Sequence, residues 1–190
     1  MGVEDFKKWA TDRKTQKYAQ LLSDEEKTLV ESFCNEGATE DWEPDSRLFS
    51  QSWFIAPCIR MSENQTKAGG KSYTYYYRVE SSQPYIKAGH ASELPVVFAH
   101  PEIQEFTGRA YDETFSKTVR KMWVQFAKTG NPSLSAEISP DGKAKEWPLY
   151  DLKDRQVMVL DEFDIHTAKE SELKIVDWER TYFLTKYYCL

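Results

Sequence analysis

The sequence predicts an α/β protein in which helices pack on a few sheet strands. Three observations carry this reading. Tyr73, Tyr75, Tyr77 and Val79 alternate with Thr74, Tyr76 and Arg78, the period-two pattern of a strand built from aromatic and β-branched residues. Phe115, Val119, Met122, Trp123, Phe126 and Ala127 recur at three- and four-residue steps, the stripe of an amphipathic helix. The predicted order of helices, strand, helix, strand, helix is compatible with the edge of a larger α/β sheet.

Taken in order, Glu4 to Leu22 carries Phe6, Trp9, Ala10, Tyr18, Leu21 and Leu22 among many Lys and Asp residues, an imperfect stripe that reads as a surface helix. Ser23-Asp24-Glu25-Glu26 is a capping box: the Ser23 hydroxyl can accept from the Glu26 amide while the Glu26 side chain reaches back. The helix it opens, with Leu29, Val30, Phe33 and Cys34 on one side, is expected to stop near Gly37. Acidic, turn-rich residues 36–44 read as a loop, and Asp45 as the cap of a third helix with Leu48, Phe49, Ser52, Ile55, Ala56 and Ile59 facing a core. Pro57 falls inside that helix and is expected to kink or end it, since proline lacks the donor and its ring clashes with the preceding turn. Gly69-Gly70 read as a flexible entry to the tyrosine-rich strand.

After the strand, Ser81, Ser82, Gln83 and Pro84 break the pattern, and Gly89 gives the backbone freedom just before His90. Asp112 or Thr114 can cap the amphipathic helix, which runs to Lys128 and is ended by Gly130-Asn131-Pro132. Residues 133–146 read as a polar loop with an Asp141-Gly142 turn. Gln156 to Leu160 reads as a short final strand, and a helix is expected from about Ser171 to Tyr188, burying Leu173, Val176, Phe183 and Tyr187.

Composition narrows the partners. A chain of 190 residues with 40% hydrophobic content can form a sizeable core. With 31 acidic against 25 basic residues the net charge is -6, which disfavours a sequence-independent grip on nucleic-acid phosphates. No run approaches the roughly 18 apolar residues of a membrane span. Cys34, Cys58 and Cys189 are an odd number at long spacings, which fits a reducing compartment better than a disulfide framework, so a cytoplasmic protein is expected, with no nucleic-acid or membrane partner.

One segment carries more. Lys87-Ala88-Gly89-His90-Ala91-Ser92-Glu93-Leu94-Pro95-Val96-Val97-Phe98 resembles the stretch around the catalytic histidine of type-B carboxylesterases, α/β-hydrolases that include para-nitrobenzyl esterases and cholinesterases. A second block, Met122 to Ser133 followed by Trp147-Pro148-Leu149-Tyr150, is similar to that family's final helix, its Gly-Asn-Pro stop and its Trp-Pro-x-Tyr segment. The resemblance covers residues 45–160 well and implies the C-terminal part of an α/β-hydrolase fold. Within it, a helical segment is expected over about 1–65, the strand and histidine loop over about 71–98, and terminal helices with a short strand over about 112–190.

The resemblance implies that His90 is a catalytic acid/base acting on a carboxylic ester. Enzymes of this class also need a serine on a Gly-x-Ser-x-Gly turn, an oxyanion hole and an acid that orients the histidine. None of the eight glycines here makes Gly-x-Ser-x-Gly. The family order is serine, acid, histidine, so the chain reads as the C-terminal fragment of an esterase, inactive alone, completed by an upstream fragment or self-associating as a homo-oligomer, a dimer being expected. The rival reading is a non-catalytic interaction domain whose exposed apolar surface is covered by another chain.

Other constellations have blander explanations. Judged from spacing alone, a lone loop histidine is most often a solvated or hydrogen-bonded residue. Glu93 and His100 make an incomplete ligand set across a Leu-Pro break, so no metal and no cofactor are expected. His166 lies in an acidic loop with Asp161, Glu162 and Asp164, and Ser92 lacks the strained turn that exposes a nucleophile. The alternating tyrosines could stack bases or sugars but read as sheet core. The cysteines lack a neighbouring histidine or a Cys-x-x-Cys spacing and read as buried or inert thiols.

Overall fold

The computed structural model of the chain describes residues 23–83, 86–100 and 107–173. They belong to two compact units, one containing residues 23–61 and the other residues 62–172.

In the first unit α1 spans Asp24–Asn35 and stops where expected, with Gly37 at φ 65°. Helix α2, Glu43–Ser50, begins two residues before the predicted cap Asp45. The Glu43 carboxylate turns back on the preceding loop, Oε2 accepting from the Thr39 amide at 2.7 Å, and so organises the helix start itself. The chain then passes into a π-helical turn, Gln51–Ile55, and on into α3, Ala56–Lys67. Pro57 therefore does not end the helix. The Ala56 amide reaches back five residues to the Gln51 carbonyl, and the widened turn places the proline ring in the first turn of α3, where its missing donor costs little. Cys34 is buried, whereas Cys58 is exposed.

The second unit opens on the last turns of α3. Gly69, at φ 79°, donates to the Thr66 carbonyl at 3.0 Å and Gly70 to the Gln65 carbonyl at 2.9 Å. This is a Schellman stop, so the glycine pair closes a helix and is not a flexible lead-in to the strand. The strand itself, β1, is Tyr75–Tyr77, shorter than the alternating run that predicts it. It pairs in parallel with β2, Gln156–Leu160, matching Tyr75 with Met158 and Tyr77 with Leu160. One further bond at each end, Met158 N to Thr74 O and Arg78 N to Leu160 O, both 3.0 Å, completes the ladder.

A third strand, β3, His166–Lys169, runs antiparallel to β2 and gives the order β1-β2-β3. Sequence reading assigned His166 to an acidic loop. His-Thr-Ala-Lys has too little β-branched or aromatic content to show as a strand, and pairing with β2, whose Val157 to Leu160 are buried, supplies what propensity lacks.

The odd-numbered tyrosines line the face covered by α5, Glu113–Thr129. Tyr73 meets Phe126 at 5.9 Å between ring centroids, Tyr75 meets Trp123 at 5.2 Å, and Tyr77 meets Phe115 at 6.5 Å. The first two are edge-on, the geometry that ring quadrupoles favour. Helix α5 follows its sequence signals: Asp112 caps it by accepting from the Phe115 amide at 2.7 Å, and Gly130 ends it at φ 72°. Val119, Met122, Met158 and Leu160 complete the core beneath these rings. On the other sheet face Ser62 and Thr74 share a 2.8 Å hydroxyl bond, and Arg155 reaches Glu63 at 2.6 Å.

The polar loop 133–146 is folded back by a bridge between Leu134 and Lys145. Lys145 is buried and its Nζ lies 2.6 Å from Asp141 Oδ2. Burial alone would raise the Asp141 pKa, but hydrogen bonds from Lys145, Ser139 and the Lys143 amide outweigh it and hold the carboxyl at about 2. The helix expected over Glu4 to Leu22 and most of the one expected from Ser171 lie outside the described residues, and Glu170–Glu172 is a 3-10 turn.

Two outcomes follow from this packing. Met122→Ala, at a fully buried position, is expected to cost about 2–5 kcal/mol, and Met122→Leu under about 1.5 kcal/mol, read from denaturant unfolding. Asp141 is depressed on folding, so its stabilisation is complete above about pH 4 and is lost as pH falls towards 2. In thermal melts across that range Asp141→Asn is expected to be less stable than the parent at pH 7 and to converge with it at pH 2.

Candidate active site around the histidine turn

The chain leaving β1 is gathered by polar side chains. The Thr107 carbonyl accepts from the Ser81 hydroxyl and the Ser82 amide, each at 2.8 Å, and the Ser81 amide donates to the Lys87 carbonyl at 3.0 Å. Lys87 adopts φ 48°, which turns the backbone into the segment 88–92. His90 stands exposed within that segment.

The expected role of Gly89 changes here. Its φ is not left-handed; the position needs glycine because a Cβ would come within 2.9 Å of the Ile86 carbonyl oxygen. The left-handed residue is Ala91, at φ 66°. An L-residue there carries strain of about 1–2 kcal/mol. Ser92 closes the turn: it is 2% exposed, its amide donates to the Gly89 carbonyl at 3.1 Å, and its hydroxyl donates to the same oxygen at 2.5 Å.

Beyond the turn, Glu93 accepts from the Tyr75 hydroxyl at 3.1 Å, tying the segment back to β1. Helix α4, Leu94–Val97, follows, with Pro95 in its first turn and Val96 fully buried. Arg120 of α5 donates to the Val96 carbonyl at 3.3 Å and so caps the short helix. Leu94 and Phe98, four residues apart, remain 45% and 74% exposed, a small apolar surface beside the turn.

Near the start of α5, Glu162 is buried and accepts from Arg109 at 2.5 Å and from the Asp112 amide at 2.6 Å, holding the N-cap residue against the end of β2. Burial foremost, and then the neighbouring Tyr111, push the Tyr77 phenol far above its ordinary range, so both rings stay neutral at any physiological pH.

The geometry can do one kind of chemistry. An imidazole on a pinned, exposed turn can move a proton to and from a group brought to it. Two of the other singled-out residues have their own places in the fold. Ser92 is spent on the turn, and His166 is in β3 with Nδ1 3.1 Å from Asp164 Oδ2. Among the described residues no group of three or more His, Cys, Asp or Glu could hold a metal ion, and no helix is long and apolar enough to cross a membrane.

Comparison with known proteins agrees with the fold. Residues 3–175 match the carboxylesterase family. The chain belongs to the carboxylesterase family. It is 40% identical over 94 residues to the para-nitrobenzyl esterase of Bacillus subtilis strain 168, covering 47% of this chain and 18% of that one. It is 32% identical over 119 residues to carboxylesterase 1C of Rattus norvegicus, covering 59% and 20%. Among solved structures, the Geobacillus stearothermophilus carboxylesterase superposes with a TM-score of 0.60 at 21% identity, over 83% of this chain and 31% of that one. A PNB esterase structure also gives 0.60, at 24% identity, over 80% and 33%. The fold is that of the α/β-hydrolase carboxylesterases, of whose curated members the chain spans about a fifth.

Within this carboxylesterase-family chain the residues that sequence reasoning missed are those that shape the turn. Nothing in the spacing of Tyr75 and Glu93 announces a bond between them, and an alanine carries no signal of positive φ.

Neighbouring substitutions in the turn are expected to act in opposite directions. Ala91→Gly relieves left-handed strain and is expected to stabilise by up to about 1 kcal/mol, after allowing for the freer unfolded chain. Gly89→Ala forces a Cβ on the Ile86 carbonyl and is expected to destabilise. Paired thermal melts check both signs; a stability loss in Ala91→Gly would contradict the backbone described here.

Proposed function

We propose that His90 is the general base and acid of carboxylic-ester hydrolysis, acting on a serine nucleophile supplied by polypeptide outside these 190 residues. The observation that carries the reading is the exposed His90 on its pinned turn, within the Gly-His-x-x-Glu-Leu-Pro segment of a carboxylesterase-family chain. In such a reaction His90 takes the serine hydroxyl proton as the serine oxygen adds to the ester carbonyl. The tetrahedral intermediate collapses, and the imidazolium protonates the departing alcohol. Water, deprotonated by the same imidazole, then adds to the acyl-serine; collapse of that intermediate frees the acid, and the proton returns to the serine oxygen.

The 190 residues alone are inactive in this reading, because a base without a nucleophile and oxyanion donors has nothing to activate. That part rests on the lack of any Gly-x-Ser-x-Gly in the sequence. A second reading, a non-catalytic chain that associates through an apolar surface, draws on the exposure of Leu94 and Phe98. Light scattering on the purified chain tests it, since a monodisperse monomer would leave it without support.

For the catalytic reading, the test is hydrolysis of a short-chain p-nitrophenyl ester. The chain and its His90→Ala variant are expected to give equal background rates alone. Joined to an esterase segment bearing a Gly-x-Ser-x-Gly turn, the parent is expected to hydrolyse the ester and the variant to lose about 10³-fold or more. A joined protein whose activity ignores His90 would refute the assignment. An acyl burst from the isolated chain, abolished by His90→Ala, would refute the need for an outside nucleophile.

A further inference from the structure

We propose that Ser92 is a positioning residue for His90, its buried hydroxyl fixing the turn from which the imidazole projects. The backbone beside the histidine is strained. Ala91 sits at φ 66°, a region an L-residue leaves unless its surroundings over-determine it. On the upstream side, Gly89 lies so near the Ile86 carbonyl that a Cβ would meet it at 2.9 Å. On the downstream side, Glu93 is bonded to Tyr75 and Val96 is locked in the core. Between these anchors, residues 89–92 are closed by one acceptor, the Gly89 carbonyl, which takes both the amide and the hydroxyl of Ser92.

The amide bond alone is that of an ordinary turn, which many backbone conformations satisfy. The hydroxyl bond is the second constraint, and only it is set by the side chain. Ser92 is 2% exposed, so water does not replace the hydroxyl when it is removed. Without it, Ala91 can relax towards ordinary φ and carry His90 with it. The catalytic meaning of this rests on reading His90 as a general base; the geometric claim does not.

The test is amide relaxation of the 15N-labelled full chain. In Ser92→Ala the His90 order parameter is expected to fall from about 0.85 to below about 0.6, while Ser92→Thr, which keeps the hydroxyl, retains the parent value. Ser116→Ala, which removes another buried hydroxyl, is expected to leave His90 unchanged. Unchanged His90 order in folded Ser92→Ala overturns the proposal, as does equal loosening in Ser116→Ala. Should Ser92→Ala not fold, a mobile His90 in Ser92→Thr overturns it and an ordered one supports it. In a joined, active esterase the same loss is expected to appear as a fall in kcat of about tenfold or more with KM little changed. Absence of any esterase activity would count against the general-base reading and leave the relaxation result standing.

Discussion

Parallel pairing of Tyr75–Tyr77 with Met158–Leu160 is the constraint on which the second unit depends. Three residues of strand make few bonds, and parallel ladders are stable when both faces are covered. Here both are: Val157, Met158, Val159 and Leu160 are 0–3% exposed. A slip of one residue would turn the odd-numbered tyrosines away from α5 and undo every ring contact at once. The Thr74 carbonyl guards against this by accepting from two places, the Met158 amide at 3.0 Å and the Trp147 indole at 3.1 Å. Register is thus held by a side chain from a distant loop as well as by the ladder.

The histidine turn hangs from this frame by different means. Core elements are held by apolar area, which is indifferent to direction. The segment from Ser81 to Glu93 is held mainly by directed bonds, from Ser81 and Ser82 to Thr107, from Ser92 to Gly89 and from Tyr75 to Glu93. Directed bonds specify orientation, which an exposed side chain cannot obtain from burial. Val96 supplies a fully buried apolar anchor, and Arg120 ties its carbonyl to the long helix.

Much of this was legible in the chain. Helix α5 announced its face, its Asp112 cap and its Gly130 stop because all three are local signals with strong residue preferences. Strand β2 showed as an apolar run, and the odd-numbered tyrosines showed the face that meets α5. What was hidden depends on atoms far apart in sequence or on backbone angles. Pro57 was expected to break a helix and instead shares it with a π-turn, a choice made by Gln51 and Ala56 backbone atoms that no side chain advertises. His166 entered a strand because β2 was there to pair with it. Gly89 was credited with freedom, yet the left-handed angle belongs to Ala91 and the glycine serves close approach. Around His90, the Gly-His pair stood out in the sequence, but the residues that shape its turn did not.

The same long-range contacts impose an order on biosynthesis. Trp147 closes on Thr74 across 73 residues and Arg155 on Glu63 across 92. At ribosomal rates of about 5–20 residues per second, Thr74 waits on the order of 4–15 s for its indole partner. During that interval the tyrosine-rich strand waits for β2, its parallel partner, and leaves the ribosome as an aromatic, β-prone segment. The charged residues that bracket it, Lys71 before and Arg78 and Glu80 after, are placed where gatekeepers against aggregation are useful.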